Sequence, residues 1–142
     1  KDTLMITGID HIAIAVTNIQ KGIQRFIEDL GCQLEHVEDV PSAQTQTAFL
    51  APQSLRLELI HPLDQAGPVQ KFIKQRNQKG GLHHICFISD NLESDIQKLK
   101  TKGYTFIQET PTIGAHGKKV VWLHPKSCDG LLIELASYDT NN

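Results

Sequence analysis

Two short stretches of this sequence repeat one another, and the repeat constrains the fold more than any other feature. GIDHIAIAV occupies residues 8–16 and GGLHHICF occupies residues 80–87. Aligning His11 with His84, an offset of 73 residues, also brings the bulky apolar positions of the two stretches into register. Because polar and apolar positions agree together, the repeat indicates a duplicated structural unit.

Each of these strand-like stretches is followed by a segment with helical periodicity. Its apolar residues recur at i, i+4 and i+7, which is one face of a helix. These positions are Ile19, Ile23 and Phe26 in the first half and Leu92, Ile96 and Leu99 in the second. The predicted N-caps are Thr17 or Asn18 in the first half and Ser89 or Asp90 in the second. Gly31 and Gly103 are predicted to end the helices in a left-handed conformation.

Each half then ends in a strand rich in Leu and Ile that carries one glutamate. The strands are LRLELI, with Glu58, and LLIEL, with Glu134, which comes three residues later than strict register. The chain therefore predicts an α+β fold of two tandem βαβββ modules within a single domain, residues 1–142. Module 1 is predicted at about 8–60, a linker helix at about 61–80, and module 2 at about 81–136.

The alternation of side chains along a strand distinguishes the two adjacent histidines of the second repeat. His11 points away from the bulky face of its strand and lies beside alanines, and His84 lies beside Cys86 in the same way. His83 falls on the opposite face. His84 is therefore predicted to be the functional histidine and His83 its neighbour.

Glu58 and Glu134 project to the same side as these histidines, from strands that are otherwise apolar. A carboxylate in such a position is costly to bury unless it is paired or binds a metal. The pattern favours one metal site built from both repeats, the alternative being four ordinary strand residues. Two imidazoles and two carboxylates suit Co²⁺, Mn²⁺, Ni²⁺, Fe²⁺ or a catalytic Zn²⁺.

Composition excludes several classes of partner and location. The net charge is −2, so the chain has no basic surface for nucleic acid, and no apolar run is long enough to span a membrane. Three cysteines that are far apart form neither a disulfide framework nor a thiolate zinc site. These features predict a cytoplasmic protein with reduced thiols.

Four stretches resemble the vicinal oxygen chelate superfamily, which includes glyoxalases, bleomycin resistance proteins and dioxygenases. They are IDHIAIAV (9–16), LELIHPL (57–63), GGLHHICF (80–87) and GAHGKKVVWLHPKSCDGLLIEL (114–135). Within the superfamily the chain is most similar to the methylmalonyl-CoA epimerases. The resemblance implies curved sheets around a metal cleft, a bound divalent ion, Co²⁺ foremost, and a homodimer.

The resemblance also assigns roles to individual residues. It implies metal ligands at His11, Glu58, His84 and Glu134, with Glu134 also acting as a catalytic base. The GAHG and HPK loops match family loops near the active site, which implies substrate-binding roles for His116, Gly117 and Lys126. As isolated side chains, Lys118, Lys119 and Lys126 are interpreted as solvated surface lysines, with contact to CoA phosphates as the alternative.

The implied reaction is epimerisation of an acyl-CoA, most simply methylmalonyl-CoA, by removal of the α-proton through an enolate that the metal stabilises. The sequence departs from the family at the second base. Ser42 stands where the family has a glutamate, and Glu38 or Glu35 is the alternative base if the loop is re-registered. Two other functions remain open at this point: a glyoxalase-like lyase or isomerase, and a non-catalytic protein that binds a small ligand.

Overall fold

The computed structural model describes residues 3–51 and 55–138. The chain divides into two compact units. The first unit is residues 11–83, and the second is residues 1–10 together with 84–142. No helix in the described ranges is long and apolar enough to cross a membrane.

The first unit contains a four-stranded mixed sheet with the order β2-β3-β4-β1. Its strands are β1 (Ile6–Ala15, of which 11–15 belong to this unit), β2 (Leu34–Val40), β3 (Thr45–Leu50) and β4 (Arg56–Pro62). Its helices are α1 (Ile19–Ile23), which continues as a π-helical segment (Gln24–Asp29), and α2 (Gly67–Gln75). β1 pairs with β4 in parallel, whereas the other pairs are antiparallel.

The second unit repeats this arrangement, with the order β5-β8-β7-β6. Its elements are β5 (Gly81–Ser89), α3 (Leu92–Thr101), β6 (Thr112–Ile113), β7 (Lys119–Leu123) and β8 (Ile133–Ser137). β5 pairs with β8 in parallel, and the other two pairs are antiparallel. The prediction of an α+β fold with two βαβββ modules is confirmed.

The predicted helical faces are the ones that pack. Ile19, Ile23 and Phe26 contact a cluster that includes Val16 and Leu59. The three equivalent residues of α3, Leu92, Ile96 and Leu99, pack on Val121, Leu123 and Leu135. Burying one such side chain fully contributes about 1.5–3 kcal/mol, so these faces anchor each helix on its sheet.

The helix ends follow the predictions with one exception. Asn18 caps α1 by accepting a hydrogen bond from the Lys21 backbone N–H, at 3.0 Å. Gly31 and Gly103 adopt φ angles of 79° and 96°, the left-handed conformation expected there.

The predicted cap of α3, Ser89 or Asp90, is wrong, because Asn91 caps this helix through the Ser94 backbone N–H. The Ser89 hydroxyl instead donates to the buried Asp95 carboxylate at 2.6 Å. Ser89 and Asn91 are both of residue types that cap helices, so the local sequence alone does not decide between them.

The three-residue offset between the glutamates disappears in the folded chain. Ala13 lies opposite Glu58 in the β1–β4 pair, and Cys86 lies opposite Glu134 in the β5–β8 pair. Cys86 is the repeat equivalent of Ala13, so the register of the two units is the same. The additional residues lie in the connections, and each strand presents its glutamate at the equivalent place.

Candidate metal centre

The first unit brings His11 and Glu58 together on adjacent parallel strands. His11 is 2% exposed and Glu58 is 6% exposed. His11 Nδ1 lies 3.2 Å from Glu58 Oε2. The small side chains of Ala13 and Ala15, which follow His11 on the same face, are fully buried. This pair is therefore held inside the unit by β1 and β4.

The second unit brings His84 and Glu134 together in the same way. His84 Nε2 lies 3.4 Å from Glu134 Oε1, and both side chains are buried. The Trp122 ring meets the His84 ring edge to face, with centroids 4.6 Å apart and planes at 82°. Trp122 also lies opposite Glu134 in the β7–β8 pair, so one aromatic side chain contacts the histidine and borders the carboxylate.

The adjacent histidine, His83, has different surroundings. Its ring packs edge to face on Phe72 of α2, with centroids 4.8 Å apart. The two histidines of GGLHHICF thus face different neighbours, as strand alternation predicts. His84 has the carboxylate beside it, and His83 has an aromatic contact.

The donor atoms of the first pair fit a divalent cation. Glu58 Oε2 is buried and has no hydrogen-bond partner among the described residues, although His11 Nδ1 is close to it. A buried carboxylate oxygen without a partner carries a large desolvation cost. A cation held jointly by this oxygen and the imidazole nitrogen would remove that cost. Nitrogen and oxygen donors of this kind suit Co²⁺, Mn²⁺, Ni²⁺, Fe²⁺ and Zn²⁺.

Aromatic residues that were not predicted from the sequence flank the two glutamates. Phe49 lies opposite Glu58 in the β3–β4 pair and is fully buried, at the position that Trp122 occupies beside Glu134. The signal was present in the repeat, because each aromatic residue belongs to the strand before the one with glutamate. Identifying it required the antiparallel register, which the two connections determine.

Cys86 is a small buried neighbour of Glu134. Burial raises the pKa of the Cys86 thiol well above its ordinary value, and the nearby Glu134 and Asp10 carboxylates raise it further, whereas Lys118 opposes this. Because the group whose pKa is raised is an acid, the thiol stays neutral throughout the neutral and mildly alkaline range. Cys86 is therefore a small, neutral side chain buried beside Glu134.

Lys118 corrects the interpretation of GAHGKK as a stretch of surface lysines. Its side chain is 2% exposed, and its Nζ lies 3.1 Å from Asp10 Oδ2. The Tyr138 hydroxyl donates to Asp10 Oδ1. Lys118 directly precedes β7, and by alternation it lies on the same face as Val120 and Trp122, the face that carries Glu134.

The two family-like loops present their polar residues on the surface. His116 and Gly117 both have left-handed φ angles, 61° and 71°, and the Gly114 N–H donates to the Lys118 carbonyl at 2.8 Å. His116 and Lys126 are exposed. The Lys126 N–H donates to His124 Nδ1 at 3.1 Å, which fixes the HPK turn.

The structure also shows what surrounds the departure at Ser42. Ser42 is exposed in a 3₁₀ turn, Pro41–Ala43, between β2 and β3. Glu35 forms an ion pair with Arg56 at 3.3 Å. His36 Nε2 lies 2.8 Å from Glu38 Oε1, so these two side chains form a hydrogen-bonded pair. Each alternative carboxylate therefore has its own basic neighbour.

Comparison with known proteins identifies relatives of this chain. Residues 10–122 match the Glyoxalase/Bleomycin resistance protein/Dioxygenase superfamily. The chain is 38% identical over 127 residues to the mitochondrial methylmalonyl-CoA epimerase of Homo sapiens, covering 89% of this chain and 72% of that protein. It is 34% identical over 132 residues to the ethylmalonyl-CoA/methylmalonyl-CoA epimerase of Cereibacter sphaeroides, covering 92% and 98%. The chain belongs to the methylmalonyl-CoA epimerase family.

A solved structure from this family has the same fold. It is a variant of the Streptomyces coelicolor methylmalonyl-CoA epimerase in complex with 2-nitronate-propionyl-CoA, with a TM-score of 0.85 and 28% identity. The alignment covers 95% of this chain and 99% of that one. The predicted membership of the superfamily and the predicted similarity to methylmalonyl-CoA epimerases are both confirmed, and these epimerases are isomerases.

Proposed function

We propose that this chain is a divalent-metal-dependent epimerase of an acyl-CoA, with methylmalonyl-CoA as its substrate. One observation carries the proposal. The chain belongs to this family, and each of its two units holds a buried histidine–glutamate pair at the equivalent place on its sheet. Family membership supplies the reaction class, and the repeated pair supplies a donor set that suits the chemistry.

The two pairs together are proposed to bind one ion, through His11, Glu58, His84 and Glu134. Co²⁺ is the ion that the family resemblance favours, and Zn²⁺, Mn²⁺, Ni²⁺ and Fe²⁺ suit the same donors. When bound, such an ion stabilises negative charge that develops on substrate oxygen atoms. Glu58 Oε2 has no hydrogen bond from the described residues and lies 3.2 Å from His11 Nδ1, and a cation bound by both atoms would satisfy this oxygen.

Glu134 is proposed to move the α-proton of the acyl group. A thioester α-carbon is a weak acid, so the reaction needs a base within hydrogen-bond reach of that carbon. Burial of Glu134, which is 5% exposed, keeps water from competing with the substrate for this carboxylate. His116, Gly117 and Lys126 are proposed to bind the CoA part of the substrate, since their loops present polar groups at the surface.

Family membership favours this reaction over the two alternatives left open by the sequence. A glyoxalase-like reaction shares the superfamily, but the relatives named above act as epimerases. A non-catalytic binding protein has no need for four buried donor residues. Under either alternative, the protein would not exchange the α-proton of an acyl-CoA, whether or not the metal is bound.

The proposal includes a homodimer in the cytoplasm. The family resemblance supports the homodimer, and exposed apolar side chains on β2, Leu34 and Val37, offer surface that a second copy could cover. The three cysteines are free, which supports a reducing compartment. Sedimentation analysis of the purified chain tests the oligomeric state.

The experiment compares His84→Ala with His83→Ala as its matched control. We expect the wild-type chain and His83→Ala to hold a divalent ion and to epimerise methylmalonyl-CoA. We expect His84→Ala to lose the ion, measured by elemental analysis, and to lose at least about 100-fold in kcat/KM, the scale of a lost general acid–base or electrostatic group. Equal metal content and activity in the two variants would contradict the proposed centre.

A further inference from the structure

Three side chains lie in a row across the first unit, and the last of them has no role in the reaction as described so far. Phe49 is opposite Glu58 in the β3–β4 pair, and His36 is opposite Phe49 in the β2–β3 pair. Residues directly opposite one another in antiparallel strands point to the same face of a sheet. His36 therefore lies on the face that carries Glu58.

The conformation of His36 is held from two sides. Its ring stacks on the ring of Phe49, with centroids 4.5 Å apart and an interplanar angle of 20°. Its Nε2 lies 2.8 Å from Glu38 Oε1. Phe49 is fully buried, so it is a rigid platform, and the Glu38 carboxylate fixes which ring nitrogen carries the proton. An imidazole oriented by a carboxylate is a common form of general acid–base catalyst.

The accessibility of this pair suits proton exchange. The side chains of His36 and Glu38 are 42% and 43% exposed, in contrast to the buried His11–Glu58 pair on the same sheet. In the proposed reaction the pair of His36 and Glu38 takes a proton from the substrate and returns it to water before the next turnover in the same direction. Half-exposed side chains can do both.

The proposed epimerisation needs such a group. Inverting an α-carbon requires one group that removes a proton and another that returns one to the opposite face. Ser42, at the family position of the second base, is no base without an activator, and Glu35 is paired with Arg56. β2 is two strands from β4, so the His36 backbone lies about 10 Å from that of Glu58 at the usual strand spacing. The Phe49 side chain lies between them, so His36 and Glu58 border the same face of the sheet on either side of this ring.

We propose that His36, oriented by Glu38 and Phe49, is the second acid–base residue of the epimerisation. This inference rests on the proposed function. In one direction neutral His36 accepts the α-proton, the C–H electron pair passes into the enolate, and protonated Glu134 delivers a proton to the opposite face. In the reverse direction the two groups exchange roles, and both equilibrate with water between turnovers. No other reactant is consumed.

The test uses the metal-loaded protein in D₂O with each epimer of methylmalonyl-CoA supplied separately. The variant is His36→Gln, and its matched control is His61→Gln. His61 is also partly exposed, but it points to the other face of the same sheet and contacts the Thr17 carbonyl. Epimerisation is followed by chiral analysis and exchange by deuterium content at the α-carbon.

We expect His36→Gln to slow epimerisation by about 10²–10⁴-fold, the usual contribution of a general acid–base group. We also expect it to retain deuterium exchange without inversion for the single epimer whose proton Glu134 removes. His61→Gln should behave like the wild type. Epimerisation by His36→Gln at the wild-type rate would overturn this inference and leave the proposed function intact.

Two further results separate the remaining cases. If a folded His36→Gln protein lost exchange equally with both epimers, the inference would also be overturned. A base that serves one face removes the proton of one epimer only, so exchange with the other epimer should remain. Absence of exchange in the wild-type protein with every metal would instead remove the proposed function. Glu38 is a positioning residue in this scheme, so Glu38→Gln should lower kcat with little change in KM.

Discussion

Glu134→Gln is expected to abolish most of the epimerase activity while the protein keeps its fold and its metal. The substitution removes one negative charge but retains an oxygen that can bind a cation. It removes the ability to accept and donate the α-proton, because an amide is neither a base nor an acid at neutral pH. We expect kcat to fall by about 10²–10⁴-fold, measured by chiral analysis of methylmalonyl-CoA.

Glu58→Gln is the matched control, because Glu58 occupies the equivalent place in the other unit. It is proposed as a metal ligand without a proton-transfer role. Its amide oxygen can still bind the ion, so we expect Glu58→Gln to retain metal and to lose much less activity than Glu134→Gln. Similar losses in the two variants would contradict the assignment of Glu134 as a base.

Lys118→Ala is expected to produce the largest loss of stability. The Lys118 and Asp10 side chains, 2% and 5% exposed, form an ion pair at 3.1 Å. Removing the ammonium leaves a buried carboxylate without the cation that faces it. Breaking a buried pair in this way costs about 3–5 kcal/mol of the free energy of unfolding. Urea denaturation, followed by circular dichroism, measures the difference.

Two variants identify the origin of that loss. Lys126→Ala removes an exposed lysine and should change the free energy of unfolding by no more than about 0.5 kcal/mol. The double variant Asp10→Asn/Lys118→Met removes both charges and should recover part of the stability that Lys118→Ala loses. Equal stability of Lys118→Ala and Lys126→Ala would show that the buried pair contributes nothing.

The parts of the structure that alternation and repetition control could be predicted from the sequence. The bulky faces of β1 and β5, the apolar faces of α1 and α3, and the closing glycines Gly31 and Gly103 all follow from local spacing. The duplication made these predictions more reliable, because each pattern occurred twice. The division of the chain into modules 8–60 and 81–136 stays a prediction.

The parts that depend on pairing between distant strands could not be predicted. The row from Glu58 through Phe49 to His36 requires the registers of two antiparallel pairs, and the register of β2 shifts between Leu34 and His36. A shift of one residue reverses every side chain beyond it. Counting along the sequence therefore could not place His36 on the same face as Glu58.

The prediction that Lys118 lies on the surface failed for a different reason. A lysine is exposed in most proteins, and only a partner such as Asp10 makes its burial favourable. That partner lies 108 residues away in the sequence. The cap of α3 failed because Ser89 and Asn91 compete for the same local role, and the buried Asp95 engages Ser89. In both cases a tertiary contact overrode a local preference.

The most direct test of the central claim is α-proton exchange by the wild-type chain. The protein is prepared free of metal and again loaded with Co²⁺, and each preparation is incubated with a single epimer of methylmalonyl-CoA in D₂O. We predict deuterium incorporation with inversion at the α-carbon in the loaded protein, and neither in the metal-free protein. The absence of exchange with Co²⁺ and with each of the other four divalent ions would contradict the proposed function.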